Sequence, residues 1–205
     1  LNTDRRYLHP LLWDYRTPGI PDDLFETDPD VPITKEEVRA IVLGKLRLKE
    51  GFSAIDIGCG SGSITVELCL QTRSNNIYAI DFSKKAIDLT IKNLHKFEVK
   101  AKTITAMAED VLPTLPTVEA IMIGGSWGNI NRILSMATDR LSKGGRIVID
   151  TILIETTYKT ISALKRSRLG GIDITQITLA KSRQVSTGTM MLARNTVTVI
   201  SATKP

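Results

Sequence analysis

A chain of 205 residues has room for one well-packed domain but not for two of ordinary size, and 42% hydrophobic with 24% charged residues excludes a disordered or fibrous protein. No apolar run approaches the ~18 residues of a membrane span, and the polar start at Asn2, Asp4, Arg5 and Arg6 lacks a secretory core, so a cytoplasmic location is expected. A net charge of +5 favours an acidic partner, nucleic acid or a polyanionic small molecule, but the basic residues are spread out and do not choose between them.

Residues 1–32 carry a helix or strand breaker in nearly every window, at His9-Pro10, Thr17-Pro18-Gly19-Ile20-Pro21 and Asp28-Pro29-Asp30-Val31-Pro32. The interspersed Leu11, Leu12, Trp13, Tyr15, Leu24 and Phe25 predict an arm that packs on the domain or on a neighbouring subunit. Residues 33–205 are expected to form a single domain. Its first helix is predicted to open on the capping box Thr34-Lys35-Glu36-Glu37, with Ile33 and Val38 as a hydrophobic staple and Val38, Ile41, Val42 and Leu46 as its apolar stripe. Thr34 would then place a hydroxyl at a helix N-terminus just ahead of the first strand.

That strand leads into the most informative stretch, Ala54-Ile55-Asp56-Ile57-Gly58-Cys59-Gly60-Ser61-Gly62-Ser63. An apolar run with one acid passes into glycines at every second position, and a helical pattern resumes at Ile64, Val66, Leu68 and Leu70. Glycines tolerate positive φ and let a ligand approach the backbone, while the helix beyond presents free N–H groups. The dinucleotide fingerprint is G-x-G-x-x-G, whereas Gly58, Gly60 and Gly62 follow G-x-G-x-G with Asp56 two residues ahead. This resembles motif I of the class I S-adenosylmethionine-dependent methyltransferases. Cys59 is read as a small residue of the turn rather than a reactive thiol.

The next strand, 76–81, ends in Asp81, placed to accept both hydroxyls of a ribose. Helix 83–96, strand 100–106, a loop at Ala108-Glu109-Asp110, strand 118–123, helix 128–141, strand 145–152, helix 155–168 and strands 171–180 and 194–202 follow. Such alternation predicts an α/β, Rossmann-like fold: a seven-stranded, mostly parallel sheet with an antiparallel last strand and helices on both faces. Ligands of these sheets bind beyond the strand C-termini, which brings in Ala108 and the loop Gly124-Gly125-Ser126-Trp127-Gly128.

That loop also fits G-x-S-x-G, the nucleophile elbow of hydrolases, but the histidine such a triad needs would follow the serine, and the chain's histidines, His9 and His95, both precede it. Gly124, Gly125 and Ser126 are instead read as a floor of small residues on the substrate side. No His/Cys/Asp/Glu cluster has metal-ligand spacing, so no metal is expected.

Several segments together resemble one family, the decarboxylating cobalt-precorrin-6B C15-methyltransferases of cobalamin biosynthesis, known as CbiT. They are Gly19-Ile20-Pro21-Asp22-Asp23-Leu24-Phe25, Val31-Pro32-Ile33-Thr34-Lys35-Glu36-Glu37-Val38-Arg39, the Asp56 to Gly62 turn, Ile123-Gly124-Gly125-Ser126, and Gly188-Thr189-Met190-Met191 with Arg194-Asn195. The chain departs at Trp127, where the family commonly has glycine. The resemblance implies methyl transfer to C15 of a polycarboxylate tetrapyrrole, coupled to loss of the ring-C acetate carboxyl as carbon dioxide, giving cobalt-precorrin-7, in a cytoplasmic homotetramer. It implies S-adenosyl-L-methionine as cofactor, contacted by Thr34, Asp56, Gly58, Cys59, Gly60, Ser61, Gly62, Asp81 and Ala108. Arg16, Arg183 and Arg194 are candidates to hold substrate carboxylates through forked hydrogen bonds. Two other readings stay open: an RNA methyltransferase on the same fold, against which stands the lack of an appended RNA-binding domain, and a non-catalytic nucleotide-binding module.

Overall fold

The computed structural model describes residues 12–124 and 129–205. Among these the strands are β1 (Ala54–Ile57), β2 (Ile77–Asp81), β3 (Lys102–Thr105), β4 (Val118–Ile123), β5 (Leu141–Thr151), β6 (Gly170–Ile177), β7 (Ala180–Val185), β8 (Gly188–Ala193) and β9 (Val197–Thr203). The helices are α1 (Glu36–Leu46), α2 (Ser63–Thr72), α3 (Lys84–Lys96), the short α4 (Ala108–Val111), α5 (Ile130–Arg140) and α6 (Ile154–Arg166). Seven strands form one sheet in the order β3-β2-β1-β4-β5-β9-β6. β9 runs antiparallel to both neighbours, and the β1–β2, β1–β4, β2–β3 and β4–β5 pairs are parallel, as the alternation of elements predicts.

Side chains of a strand alternate between the two faces of its sheet, and here both faces are covered. Ile55, Ile57, Ile121, Ile123, Ile147 and Ile149 pack with Ile133, Leu134, Ala137 and Leu164 of α5 and α6. On the other face Ala54, Ala120, Met122 and Val148 pack with Val38, Val42 and Leu46 of α1 and Val66 and Leu68 of α2. The same alternation puts Asp56, Gly124 and Asp150 on the α1/α2 face, where the strands run out of core.

Residues 19–25 lie against that layer and are tied to it by one buried ion pair. Arg39 of α1 is fully buried; its Nε donates to Glu67 Oε1 of α2 at 2.9 Å and its guanidinium donates to Asp22 Oδ1 at 2.8 Å. The guanidinium also donates to the carbonyls of Ile20 and Thr34 and lies 4.8 Å from the Phe25 ring centroid. Glu67, 1% exposed, accepts from the backbone N–H of Gly19 at 2.8 Å and of Ile20 at 3.2 Å.

Three expectations are corrected. Thr34 does not cap α1: Lys35 is the N-cap residue, with no side-chain cap bond, and its carbonyl accepts from Arg39 N–H at 2.8 Å. The Glu37 carboxylate that such a box needs is instead paired with Lys181 at 3.1 Å, and the Thr34 carbonyl accepts from the Arg39 guanidinium. Residues 108–110 are not loop but the start of α4, a single turn with Glu109 and Asp110 at its N-terminal end, too short for a periodic signal. The strand expected over 171–180 stops at Ile177, and residues 180–193 form a separate hairpin, β7 paired antiparallel with β8. β7 is exposed on both faces, so Ala180-Lys181-Ser182-Arg183-Gln184-Val185 carries no period-two apolar pattern to reveal it.

Candidate active site

The turn after β1 is built as its glycines require. Gly58, Gly60 and Gly62 all take positive φ, at 73°, 54° and 76°. At Gly62, which caps α2, an added Cβ would stand 2.8 Å from the Thr90 side chain and 2.9 Å from Thr90 Cα. Gly62→Ala therefore combines backbone strain with a clash against α3, and is expected to lower stability by about 1–3 kcal/mol in denaturant unfolding.

Asp56 is 1% exposed and accepts from Thr65 Oγ1 at 2.6 Å. Burial pushes its carboxyl up to about 7, and the charges of Asp150 and Asp81 push the same way, against the Thr65 hydrogen bond. Asp81 closes β2 and accepts from Gly60 N–H at 3.1 Å and Ser83 N–H at 2.9 Å, which ties the second strand's carboxylate to the glycine turn. Burial raises the Cys59 thiol well above its ordinary range, in keeping with a filling residue rather than a nucleophile.

Above the turn lies a cavity of about 380 Å³. Thr34 and Lys35, Asp56, Gly58, Cys59, Gly60, Ser63 and Ile64 line one side of it, and Gly124, Asp150, Ile152, Arg194, Asn195 and Val197 line the other. Ser61 and Ala108 are buried, the Ser61 hydroxyl without a hydrogen-bond partner among the described residues. Phe82 and Met107, 51% and 41% exposed, follow Asp81 and precede Ala108 beyond the ends of β2 and β3. Gly125, Ser126 and Trp127 lie outside the described residues. Arg183 projects on the exposed β7, and Arg16 lies in a larger groove of about 640 Å³ beside Trp13, Arg73, Phe97 and Lys100. That groove is at the opposite end, by the C-terminus of α2 and the start of β2, so of the three candidate arginines the fold brings Arg194 to the cavity and leaves the other two apart.

Asp150 is a cavity residue that no motif spacing marks, although the sequence carries a signal for it: Ile147-Val148-Ile149-Asp150 repeats the apolar strand closed by an acid that singles out Asp81. Its carboxyl is pushed up to about 6 by burial, its own backbone N–H being the donor that opposes this. Neither Asp56 nor Asp150 pairs with a cation among the described residues, which leaves two desolvated carboxyls in one cavity. Such a donor set suits a ligand carrying positive charge. The space is kept open by Gly124, where a Cβ would stand 3.4 Å from Asp150 Oδ1 and 3.6 Å from the Gly58 carbonyl oxygen. The residues present thus fit a cationic amino-acid sulfonium resting on a glycine turn. Among the described residues no His/Cys/Asp/Glu group is arranged to hold a metal ion, and no helix is long and apolar enough to cross a membrane.

The chain as a whole is similar to known proteins. The family model described as a precorrin methyltransferase domain matches residues 23–204. A Saccharolobus solfataricus protein named "Probable cobalt-precorrin-6B C(15)-methyltransferase (decarboxylating)" is 44% identical over 197 residues, covering 94% of this chain and 99% of that one. Among solved structures, the precorrin 8W decarboxylase of Methanobacterium thermoautotrophicum superposes with a TM-score of 0.85 at 33% identity, over 89% of this chain and 98% of that one. The precorrin-6Y C5,15-methyltransferase of Geobacter metallireducens GS-15 gives 0.86 at 30% identity, over 94% and 100%. With the sheet order, the glycine turn and the carboxylate of the second strand already in place, these matches along nearly the full length establish that the chain belongs to the precorrin methyltransferase family.

Proposed function

We propose that this chain is an S-adenosyl-L-methionine-dependent methyltransferase that methylates C15 of cobalt-precorrin-6B and releases the C12 acetate carboxyl as carbon dioxide. The observation that carries the reading is the cavity itself, lined by the glycine turn, by two carboxyls that meet no cation among the described residues and by Arg194. S-adenosylmethionine supplies an electrophilic methyl group, and the protein's part is to hold both reactants in line and exclude water.

In this reading Asp81 accepts the ribose hydroxyls, Phe82, Met107 and Ala108 border the adenine, and Thr34, Asp56 and the Gly58 to Gly62 turn, with Cys59 and Ser61, surround the amino-acid end. The tetrapyrrole then enters from the β5/β9 side, over Gly124 and the Gly125-Ser126 segment, with Arg194 on a carboxylate and Arg16 and Arg183 able to act from a neighbouring subunit. Residues 1–32 serve as an arm to the domain of residues 33–205, in a cytoplasmic homotetramer. Exposed Leu153, Ile154, Tyr158 and Met191 support self-association. Light scattering should return a mass of four chains; a monomer would contradict that part.

Asp81→Ala removes charge-assisted acceptors and is expected to weaken S-adenosylmethionine binding by about 10–100-fold in titration calorimetry. Unchanged affinity would displace the ribose from Asp81. The RNA reading predicts instead salt-dependent binding of RNA and transfer of labelled methyl to it. Label transferred to the tetrapyrrole and not to RNA supports the proposal.

A further inference from the structure

The proposed reaction moves a proton as well as a methyl, and the family resemblance names no residue that carries it. The acetate C–C bond breaks to release carbon dioxide, and its electron pair passes into the conjugated macrocycle. C15 bonds to the sulfonium methyl, whose S–C pair stays on sulfur. C15 is a bridging C–H position, so after methylation it gives up its hydrogen as a proton, while the methylene left by the acetate takes one up to become a methyl. One proton leaves and one arrives. Carboxylate and sulfonium charges cancel, and no oxidant, reductant or outside acid is required.

Resting on the function proposed above, we infer that Asp150 carries this proton, its carboxylate accepting it from the methylated carbon and returning it to the carbon that has lost carbon dioxide. The position follows from the sheet. Asp56 of β1 stands in register with Met122 of β4, and Met122 with Val148 of β5. Asp150, two residues further along the same face, therefore lies two strands from the glycine turn, on the side away from Asp81. The cofactor reading occupies the β1/β2 side, so the acceptor must lie toward β5 and β9, where Asp150 is the acid on the wall. Gly124 puts no side chain between them. Ile152 and Val197 add apolar surface to the lining of the same cavity.

Among the described residues, few charged or titratable groups share the cavity with Asp150: Asp56 from β1, Cys59 from the glycine turn, Lys35 from the start of α1 and Arg194 from the segment after β8. Lys35 is engaged with Asp22 at 3.4 Å. Asp56 is held by Thr65, whereas Asp150 meets no side-chain donor among the described residues, so its oxygens are free to exchange a proton with substrate. Burial places the carboxyl near neutrality, where it both accepts and donates readily.

The test compares wild type, Asp150→Asn and Asp150→Glu with cobalt-precorrin-6B, following product mass, carbon dioxide release and rate against pH, alongside titration calorimetry with S-adenosylmethionine alone. The inference expects Asp150→Asn, assayed at saturating S-adenosylmethionine so that any change in cofactor affinity drops out, to form product about 100-fold or more slowly and to lose the acidic limb of the pH profile. Asp150→Glu should restore that limb. Equal rates and profiles in wild type and Asp150→Asn would overturn the inference while leaving the function intact. So would a tenfold loss of cofactor affinity with normal turnover at saturation, which would make Asp150 a counter-charge to the cofactor. A wild-type protein that gains no methyl and loses no carbon dioxide would overturn the function and this inference with it.

Discussion

Replacing Arg39 with alanine is expected to destabilise the fold by about 3–5 kcal/mol, because it leaves the carboxylate of Glu67 buried without its cation. Glu67 would keep only the two backbone donors of Gly19 and Ile20. Asp22 and the carbonyls of Ile20 and Thr34 would lose their guanidinium at the same time. The loss should be cooperative in denaturant unfolding, and hydrogen exchange should quicken in residues 19–25 and 32–35. Since Thr34 and Lys35 line the cavity, cofactor affinity should fall with it. The double variant Arg39→Met with Glu67→Leu removes both charges and should recover much of the stability, since a buried pair is often replaceable by apolar side chains. Full stability in Arg39→Ala alone would show that the arm is held by packing of Ile20 and Phe25 and not by the ion pair.

Raising the pH from about 4 to 8 is expected to take from the ligand-free fold a stability contribution on the order of a few kcal/mol that resides in Asp56 and Asp150. An unfolded aspartate releases its proton near 3.9, whereas folded Asp56 holds its proton to about 7 and Asp150 to about 6. Between those values the native state binds more protons than the unfolded one. The contribution is therefore fully present below about pH 4 and is lost as pH rises through 6 and 7. Surface carboxylates such as the exposed Glu26 and the half-buried Asp28 are held low by Lys96 and Lys85 and act in the opposite sense, so the measurement is a difference. Asp56→Asn, compared with wild type by urea unfolding at each pH, should gain relative stability steadily up to pH 7 and then level off. A flat difference from pH 4 to 8 would mean that water or a nearby cation keeps Asp56 ionised.

The parts of this architecture that are plain in the sequence are those where burial leaves no choice. Strands covered on both faces are mostly apolar, so Ala54–Ile57 and Val118–Ile123 stand out, and an acid that closes such a run, as Asp81 does, has to be there for a ligand or a turn. The glycine turn is equally legible because positive φ and the close approach of Thr90 admit no other residue at Gly62. What stays hidden is set by tertiary partners. The capping box at Thr34 is locally convincing, yet Lys181, far along the chain, holds the Glu37 carboxylate that the box would use. The β7–β8 hairpin, being exposed, imposes no pattern on its residues. Asp150 obeys the same rule as Asp81 but stands at no fixed spacing from a glycine motif, so nothing local marks it.

The most direct test of the central claim is the mass of the product formed from cobalt-precorrin-6B and S-adenosylmethionine by the purified protein. The account predicts that a single turnover adds one methyl and removes one carbon dioxide from the same tetrapyrrole. A product that has gained the methyl and kept its acetate carboxyl would contradict it.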